Sequence, residues 1–384
     1  MKNDNLGLGE IAMVDLKTQY KRLNDEFNTG INSVLEHTGF INGKEVGIFA
    51  EKLAAKTASK FVVPCANGTD ALQLCFMALD FEPGSEVITA AFNYVAAAEV
   101  VAFVGLRPVF VDIDPQSFNI DPEKIESAIT NKTKAIVVVH LFGQSAHMEP
   151  LIAIAKKYDL IIIEDNAQSI FSEYQFKDGG KKFTGTMTEI GTTSFFPSKN
   201  LGCFGDGGAV FSQDESLAKL IKKYANHGQE KKYTYDLVGI NSRLDTIQAA
   251  ILLVKLKHID EFIASRQHAA GLYDELLSDI TDIETPFRSS YSTHVFHQYT
   301  VKLPEGVNRN QVQEFLSEKG IPTMVYYPTP LHVQKAFKFL GYSEGDFPVS
   351  ENLSKRVLSL PMHTELPENQ QAYISETLKN FLSK

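Results

Sequence analysis

From Lys60 onward, short apolar runs rich in β-branched residues alternate with segments whose apolar positions recur at helical spacing. Phe61-Val62-Val63 leads into Gly68 and a helix over 70–79. Strands are predicted at 86–92, 108–111, 135–142 and 160–163, and helices at 95–104, 122–129 and 149–158. Strands that are apolar on both faces and separated by helices form a parallel sheet covered on both sides. The pattern therefore predicts a three-layer α/β core with a mostly parallel central sheet. After Phe211 it changes. Helices are predicted at 214–226 and 244–277, the second long enough to bend or to bridge two domains. A strand at 295–303, a helix at 310–319, a strand at 323–327 and a terminal helix at 369–382 follow. The expected organisation is a large α/β domain over 1–258, with residues 1–12 as a mobile tail, and a smaller C-terminal α+β domain over 259–384.

With 43% hydrophobic and 22% charged residues, the chain can bury a core and is not of the disordered class. Its formal net charge is −10. An acidic chain with no basic run lacks what nucleic-acid phosphates or anionic lipid require. No apolar stretch is long enough for a bilayer. Residues 1–10 are polar and glycine-rich, unlike a signal peptide. The three cysteines, Cys65, Cys75 and Cys203, include no C-x-x-C pair, so neither a disulfide framework nor a structural zinc site is expected. These features imply a cytoplasmic protein without a metal.

Several motifs have plainer readings than their patterns suggest. Gly7-Leu8-Gly9-Glu10-Ile11-Ala12 matches a dinucleotide fingerprint, but no strand precedes it. Asp112-Ile113-Asp114 follows a strand and suits either the metal of a nucleotide-sugar glycosyltransferase or loop capping. Gly143-Gln144-Ser145-Ala146-His147 has His where a nucleophile elbow needs glycine. His294 and His297, three apart in a predicted strand, would face opposite ways and bind no common metal.

Three other segments fit one ligand. Asn67-Gly68-Thr69-Asp70 lies where a strand becomes a helix, so free amides and a hydroxyl face an incoming anion. Asp165 ends the apolar run Ile161-Ile162-Ile163-Glu164, at the carboxyl edge where α/β sheets bind ligands. Lys199 lies between Ser194-Phe195-Phe196-Pro197-Ser198 and the glycine-dense Gly205-Asp206-Gly207-Gly208, and a buried lysine attacks carbonyls. A phosphate, a pyridinium nitrogen and an aldehyde occur together in pyridoxal 5'-phosphate (PLP).

With Asn241-Ser242-Arg243 and Gln248-Ala249-Ala250, these motifs make the chain resemble the DegT-like, PLP-dependent nucleotide-sugar aminotransferases, from Val14-Asp15-Leu16 to the C-terminus. The resemblance implies an aspartate-aminotransferase-like fold and a homodimer with shared active sites. It casts Lys199 as the lysine that binds the cofactor aldehyde and shuttles the proton, Asp165 as partner of the ring nitrogen, and Gln168 as partner of the ring hydroxyl. Gly68, Thr69, Asp70 and Ser194 become phosphate ligands, Tyr94 the stacking ring, and Asn241 a residue reaching the phosphate from the other subunit. Lys199 favours the aminotransferases over a dehydratase branch that has His there. The implied reaction is a ping-pong transfer from L-glutamate to a nucleotide-linked keto-sugar. Val14 to Tyr20, His140 to Gln144 and His227-Gly228-Gln229 look nearest the branch that acts on UDP-2-acetamido-2-deoxy-3-oxo-glucuronate for bacterial surface polysaccharide, such as lipopolysaccharide O-antigen. Arg243, Lys231 and Lys232 would meet the substrate's anionic groups, and Tyr326, Tyr327 and His332 match a segment lining the sugar pocket. Tyr326 stands where many relatives have His. A dTDP-3-keto-6-deoxyhexose aminotransferase is the alternative within the class, and the Asp112/Asp114 glycosyltransferase the alternative outside it.

Overall fold

The computed structural model describes residues 7–280 and 282–383. Strands β1 (Phe61–Cys65), β2 (Glu86–Ala90), β3 (Arg107–Val111), β4 (Thr133–Val139), β5 (Ile161–Asp165), β8 (Ile190–Ser194) and β9 (Gly208–Ser212) form one sheet in the order β1-β9-β8-β5-β4-β2-β3. Between β5 and β8 lies the hairpin of β6 (Glu173–Gln175) and β7 (Lys181–Phe183). All neighbouring pairs are parallel except those made by β9, which runs against β1 and β8. Both edge strands carry a proline, Pro64 and Pro108, where a missing N–H costs least. The central strands are apolar throughout. Ala135, Ile136, Val137 and Val138 of β4 are fully buried, as helices on both faces require.

Beyond β9 lie the helix Glu215–Ala225 and a hairpin of β10 (Gln229–Lys231) and β11 (Thr234–Tyr235). A separate apolar core gathers Tyr273, Tyr299, Val301, Leu316, Leu358 and Ile374. It is built on antiparallel β12 (Tyr299–Lys302) and β13 (Val357–Leu360), the helices Arg309–Glu318 and Glu368–Leu382, and the end of Ile259–Leu277.

The structure differs from the sequence pattern in several places. The 244–277 helix breaks at His258, giving Thr246–Lys257 and Ile259–Leu277. His258 has non-helical dihedrals (φ −100°, ψ 4°), and its ring is held by Glu26 (2.7 Å). Residues 323–327 make no strand, only a bridge from Met324 to Ser359. The 295–303 strand begins at Tyr299, because Phe296 has φ +45°. His294 and His297 thus lie in an irregular segment rather than on opposite faces of a strand. Residues 1–6 of the expected tail lie outside the described residues. Farther along it, the Gln370 amide donates to the Leu8 and Glu10 carbonyls (2.7 and 3.3 Å), and Ile11 is buried in the C-terminal core. No described helix is long and apolar enough to cross a membrane.

Asp112 receives Ile113 N (3.0 Å) and, across the fold, Val349 N (2.9 Å), Ser350 N (2.9 Å) and Ser350 Oγ (2.6 Å). It therefore caps the helix Pro348–Arg356 from another element. Asp114 closes a turn by accepting from Gln116 N, Ser117 N and Ser117 Oγ. Both carboxylates are spent on the fold. Among the described residues there is no group of three or more His, Cys, Asp or Glu able to hold a metal. Asp112→Ala is expected to lower stability by about 1–2 kcal/mol, the scale of a lost N-cap. A thermal melt measures this, and EDTA should leave turnover unchanged.

Candidate active site

The candidate groups come from the carboxyl ends of parallel strands. After β1, Asn67 caps the helix Gly68–Leu79: its Oδ1 accepts from Asp70 N (2.8 Å). That bond corrects one expectation, since the Asp70 amide is already engaged. The Gly68 and Thr69 amides and the Thr69 hydroxyl have no partner among the described residues and remain available at the helix N-terminus. A Cβ at Gly68 would fall 2.7 Å from Ser194 Cβ, so only glycine lets this turn pack on the end of β8. The Ser194 Oγ accepts from Phe196 N (3.2 Å) and keeps its hydrogen to give away.

Asp165 ends β5 and is buried. One oxygen accepts from Ala167 N (3.0 Å). Burial pushes the carboxyl above its usual range, opposed by that amide and by the charge of Lys199. Lys199 follows β8 in a turn closed by its own N–H to Phe196 O (2.8 Å). Burial brings its ammonium down to about 8, against the pull of Asp165. Gln168 is buried, accepts from Phe142 N (3.0 Å) and donates to the Tyr327 hydroxyl (3.1 Å), leaving one amide hydrogen. Burial raises Tyr327 well above an ordinary phenol, so it stays protonated. Its ring meets Phe92 (5.8 Å) and Tyr94 (6.5 Å). Tyr94, after β2, is 56% exposed and has an open face for a flat ring. Tyr326 is half-buried beside Tyr327 (5.9 Å between ring centres).

His332 does not join this cluster. Its ring is buried against Phe347, and its Nε2 is bonded to Glu351 (2.9 Å), which also accepts from Gly345 N (2.8 Å). It holds the 331–347 segment together through Glu351, and its buried Nδ1 has no partner among the described residues. Asn241, Lys231 and Lys232 are exposed. Arg243 lines a groove of about 990 Å³ with Asn42, Lys44, Lys222 and Gln229. Among the described residues none of these four forms a hydrogen bond or ion pair with Lys199, Asp165 or Gln168.

Sequence reasoning gives no role to a pair behind Asp165. His140 Nδ1 accepts from Ala146 N (3.1 Å), which leaves the ring proton on Nε2 to donate to Glu164 (3.1 Å). Glu164 also accepts from Gly185 N (2.8 Å), Thr188 N (2.7 Å) and Thr188 Oγ1 (2.9 Å), so a fully buried carboxylate is satisfied. The His140 amide donates to Asp165 O (3.0 Å). Only the run E-D-N-A-Q hints at this support.

Open amides at a helix start, a buried carboxylate short of a cation and a lysine with a depressed ammonium fit a PLP phosphate, ring nitrogen and aldehyde respectively. This combination defines a PLP-dependent transferase. The pattern of the DegT/DnrJ/EryC1/StrS aminotransferase family matches residues 21–379, and the chain belongs to that family. It is 46% identical over 370 residues to the UDP-2-acetamido-2-deoxy-3-oxo-D-glucuronate aminotransferase of Pseudomonas aeruginosa, covering 96% of this chain and 100% of that one. It is 44% identical over 373 residues to the pleiotropic regulatory protein of Geobacillus stearothermophilus, covering 97% and 98%. The crystal structure of S. venezuelae DesV in complex with a ketimine intermediate matches with a TM-score of 0.93 at 33% identity, covering 98% and 99%. The protein is a PLP-dependent sugar aminotransferase with an aspartate-aminotransferase-like fold.

Proposed function

We propose that the protein moves the amino group of L-glutamate to UDP-2-acetamido-2-deoxy-3-oxo-glucuronate, supplying a 3-amino sugar for bacterial surface polysaccharide in the cytoplasm. The convergence of Lys199, Asp165, Gln168 and the open Gly68 and Thr69 amides at one sheet edge carries the transferase reading. Identity to the P. aeruginosa enzyme supports the sugar.

When bound, PLP supplies an aldehyde and an electron-poor ring that stabilises negative charge beside the transferred nitrogen. The Gly68 and Thr69 amides, Thr69 Oγ1 and Ser194 Oγ hold the phosphate. Asp165 keeps positive charge at the ring nitrogen, and the last Gln168 amide hydrogen goes to the ring hydroxyl. Tyr94 covers the ring. Lys199 Nζ would meet the aldehyde, and as a free amine it would take up and return the proton that amino transfer moves.

Asn241, Arg243, Lys231 and Lys232 act from the second subunit of a homodimer. The surface around them exposes Tyr233 (76%), Tyr235 (60%) and Val238 (92%), an apolar patch suited to a second copy. Arg243 would fork onto the uronate carboxylate and the lysines onto the diphosphate. Tyr326 and Tyr327 line the sugar side.

The reverse half-reaction tests the substrate. UDP-2-acetamido-3-amino-2,3-dideoxyglucuronate is expected to bleach the visible absorbance of the PLP-loaded enzyme, and a dTDP-3-amino-6-deoxyhexose to leave it unchanged. Bleaching by the dTDP sugar alone would move the protein to the deoxyhexose class and remove the carboxylate from the argument. Bleaching by glutamate but by neither sugar would overturn both the uronate and the deoxyhexose assignments.

A further inference from the structure

Residues 294–298 form an irregular segment before β12, and each carbonyl from His294 to His297 is taken by a side chain from elsewhere. Gln267 Nε2 donates to His294 O (3.1 Å), and Asn200 Nδ2 to Val295 O (2.8 Å). Arg266 Nη1 donates to Phe296 O (3.0 Å), His297 O (3.3 Å) and Met362 O (3.2 Å). The amides at either end go to another loop: Val295 N to Gly143 O (2.8 Å) and Gln298 N to Phe142 O (3.3 Å). The fit is close. A Cβ on Gly143, whose φ is +114°, would lie 2.7 Å from Phe296 N and 2.8 Å from His297 N.

The segment therefore touches three parts of the site at once. Asn200 follows Lys199 in the chain. Phe142 donates the N–H that holds Gln168 Oε1. The His297 ring is buried beside Lys199 and Arg266, whose charges add to burial in keeping it neutral, and its Nδ1 has no partner among the described residues. Arg266 ties the arrangement to the helix Ile259–Leu277. Its guanidinium is buried and forms no ion pair with a carboxylate among the described residues. Burial lowers it only to about 10, so it stays charged at neutral pH. A buried cation is costly unless its donors are used. Nη1 meets three backbone carbonyls that packing alone would leave unsatisfied, while Nε has no partner among the described residues.

We propose that Arg266 is a positioning residue for amino transfer: acting through 294–298, it fixes the Lys199 loop and Gln168 relative to each other. The proposal rests on Lys199 and Gln168 as the groups that meet the cofactor.

Arg266→Met keeps the bulk and removes the donors. The first readout uses cofactor-free protein, in which Lys199 is labelled with a small aldehyde and a mild reductant and quantified by peptide mass. In the wild type this labelling should rise with pH through about 8, as the free amine appears. Arg266→Met is expected to change that profile, to alter the absorbance of bound PLP and to lower kcat by roughly 100-fold, the scale of a 1 Å misplacement. The KM for glutamate should change far less. Arg266→Lys should restore part of each signal. A folded Arg266→Met protein with wild-type labelling, absorbance and kcat would overturn the proposal. If that variant does not fold, Asn200→Ala removes one bond of the same brace and should show the same signature at smaller size; wild-type behaviour there would overturn it. A wild-type enzyme that never joins PLP to Lys199 is a different failure, since it would overturn the site assignment itself.

Discussion

Lys199→Ala is expected to abolish amino transfer while the protein stays folded and still binds PLP, without covalent attachment. Lys199 is suited to act as both amine and base. A lysine left at 10.5 would present roughly one free amine in three thousand at pH 7, whereas one near 8 presents roughly one in ten. Burial supplies that gain, and Asp165 limits it. The Lys199 side chain is joined to no other side chain by a hydrogen bond among the described residues, so its loss removes little from the fold. The phosphate contacts proposed for Gly68, Thr69 and Ser194 and the contact proposed for Asp165 are untouched, which is why cofactor retention is expected. Acid–base catalysis by a placed side chain is worth about 10²–10⁴ in rate. The missing covalent anchor adds to that, so residual turnover should fall below about 1% of wild type. Turnover, bound-cofactor absorbance and a thermal melt on one sample separate the three claims. Normal turnover in the folded variant would overturn the role given to Lys199.

The site was legible in the chain wherever chemistry sat beside an apolar run. Ile161-Ile162-Ile163 marks a buried strand, so the carboxylate of Asp165 at its end is conspicuous. Lys199 stands out because a lysine between an apolar strand and a glycine-dense stretch has few structural reasons to be there. Gly68 is legible from its place before a helix start; the structure adds that a Cβ there would meet Ser194. Hidden features depend on partners distant in sequence. The burial of His332 follows from Glu351 and Phe347 closing over it, and no periodicity reports that. The capping reading of Asp112 cannot name its helix, because Pro348–Arg356 lies far along the chain. The break at His258 carries no proline or glycine, so helical spacing runs through it. The Asp70 amide was misjudged for a local reason: an Asn three residues earlier competes for it as a cap. Arg266 looks like an ordinary helix arginine until its three carbonyl partners are seen.

Asp165→Asn should produce the second large effect, and it isolates charge from shape. The amide can keep the bond from Ala167 N (3.0 Å) and fill the same space. What it removes is the negative charge proposed to pair with the ring nitrogen. Breaking one side of a buried charge pair costs about 3–5 kcal/mol, or roughly 10²–10⁴ in kcat/KM if the whole difference falls on the transition state. Lys199 should report the same change independently. Asp165 is what holds its ammonium up against burial. In cofactor-free Asp165→Asn the labelling midpoint of Lys199 should therefore move below the wild-type value of about 8. Stability should move the other way. Burial raises the Asp165 carboxyl above its unfolded value, so the folded state holds the proton more tightly. Stability from this group is lost as pH rises through the unfolded and then the folded value, and at neutral pH the ionised form is a burden. The neutral amide lifts that burden, so cofactor-free Asp165→Asn should melt no lower than wild type even as catalysis falls. A residue kept for the fold would lose both together. Melting well below wild type with an unmoved Lys199 midpoint would show that Asp165 serves the fold and not the ring nitrogen.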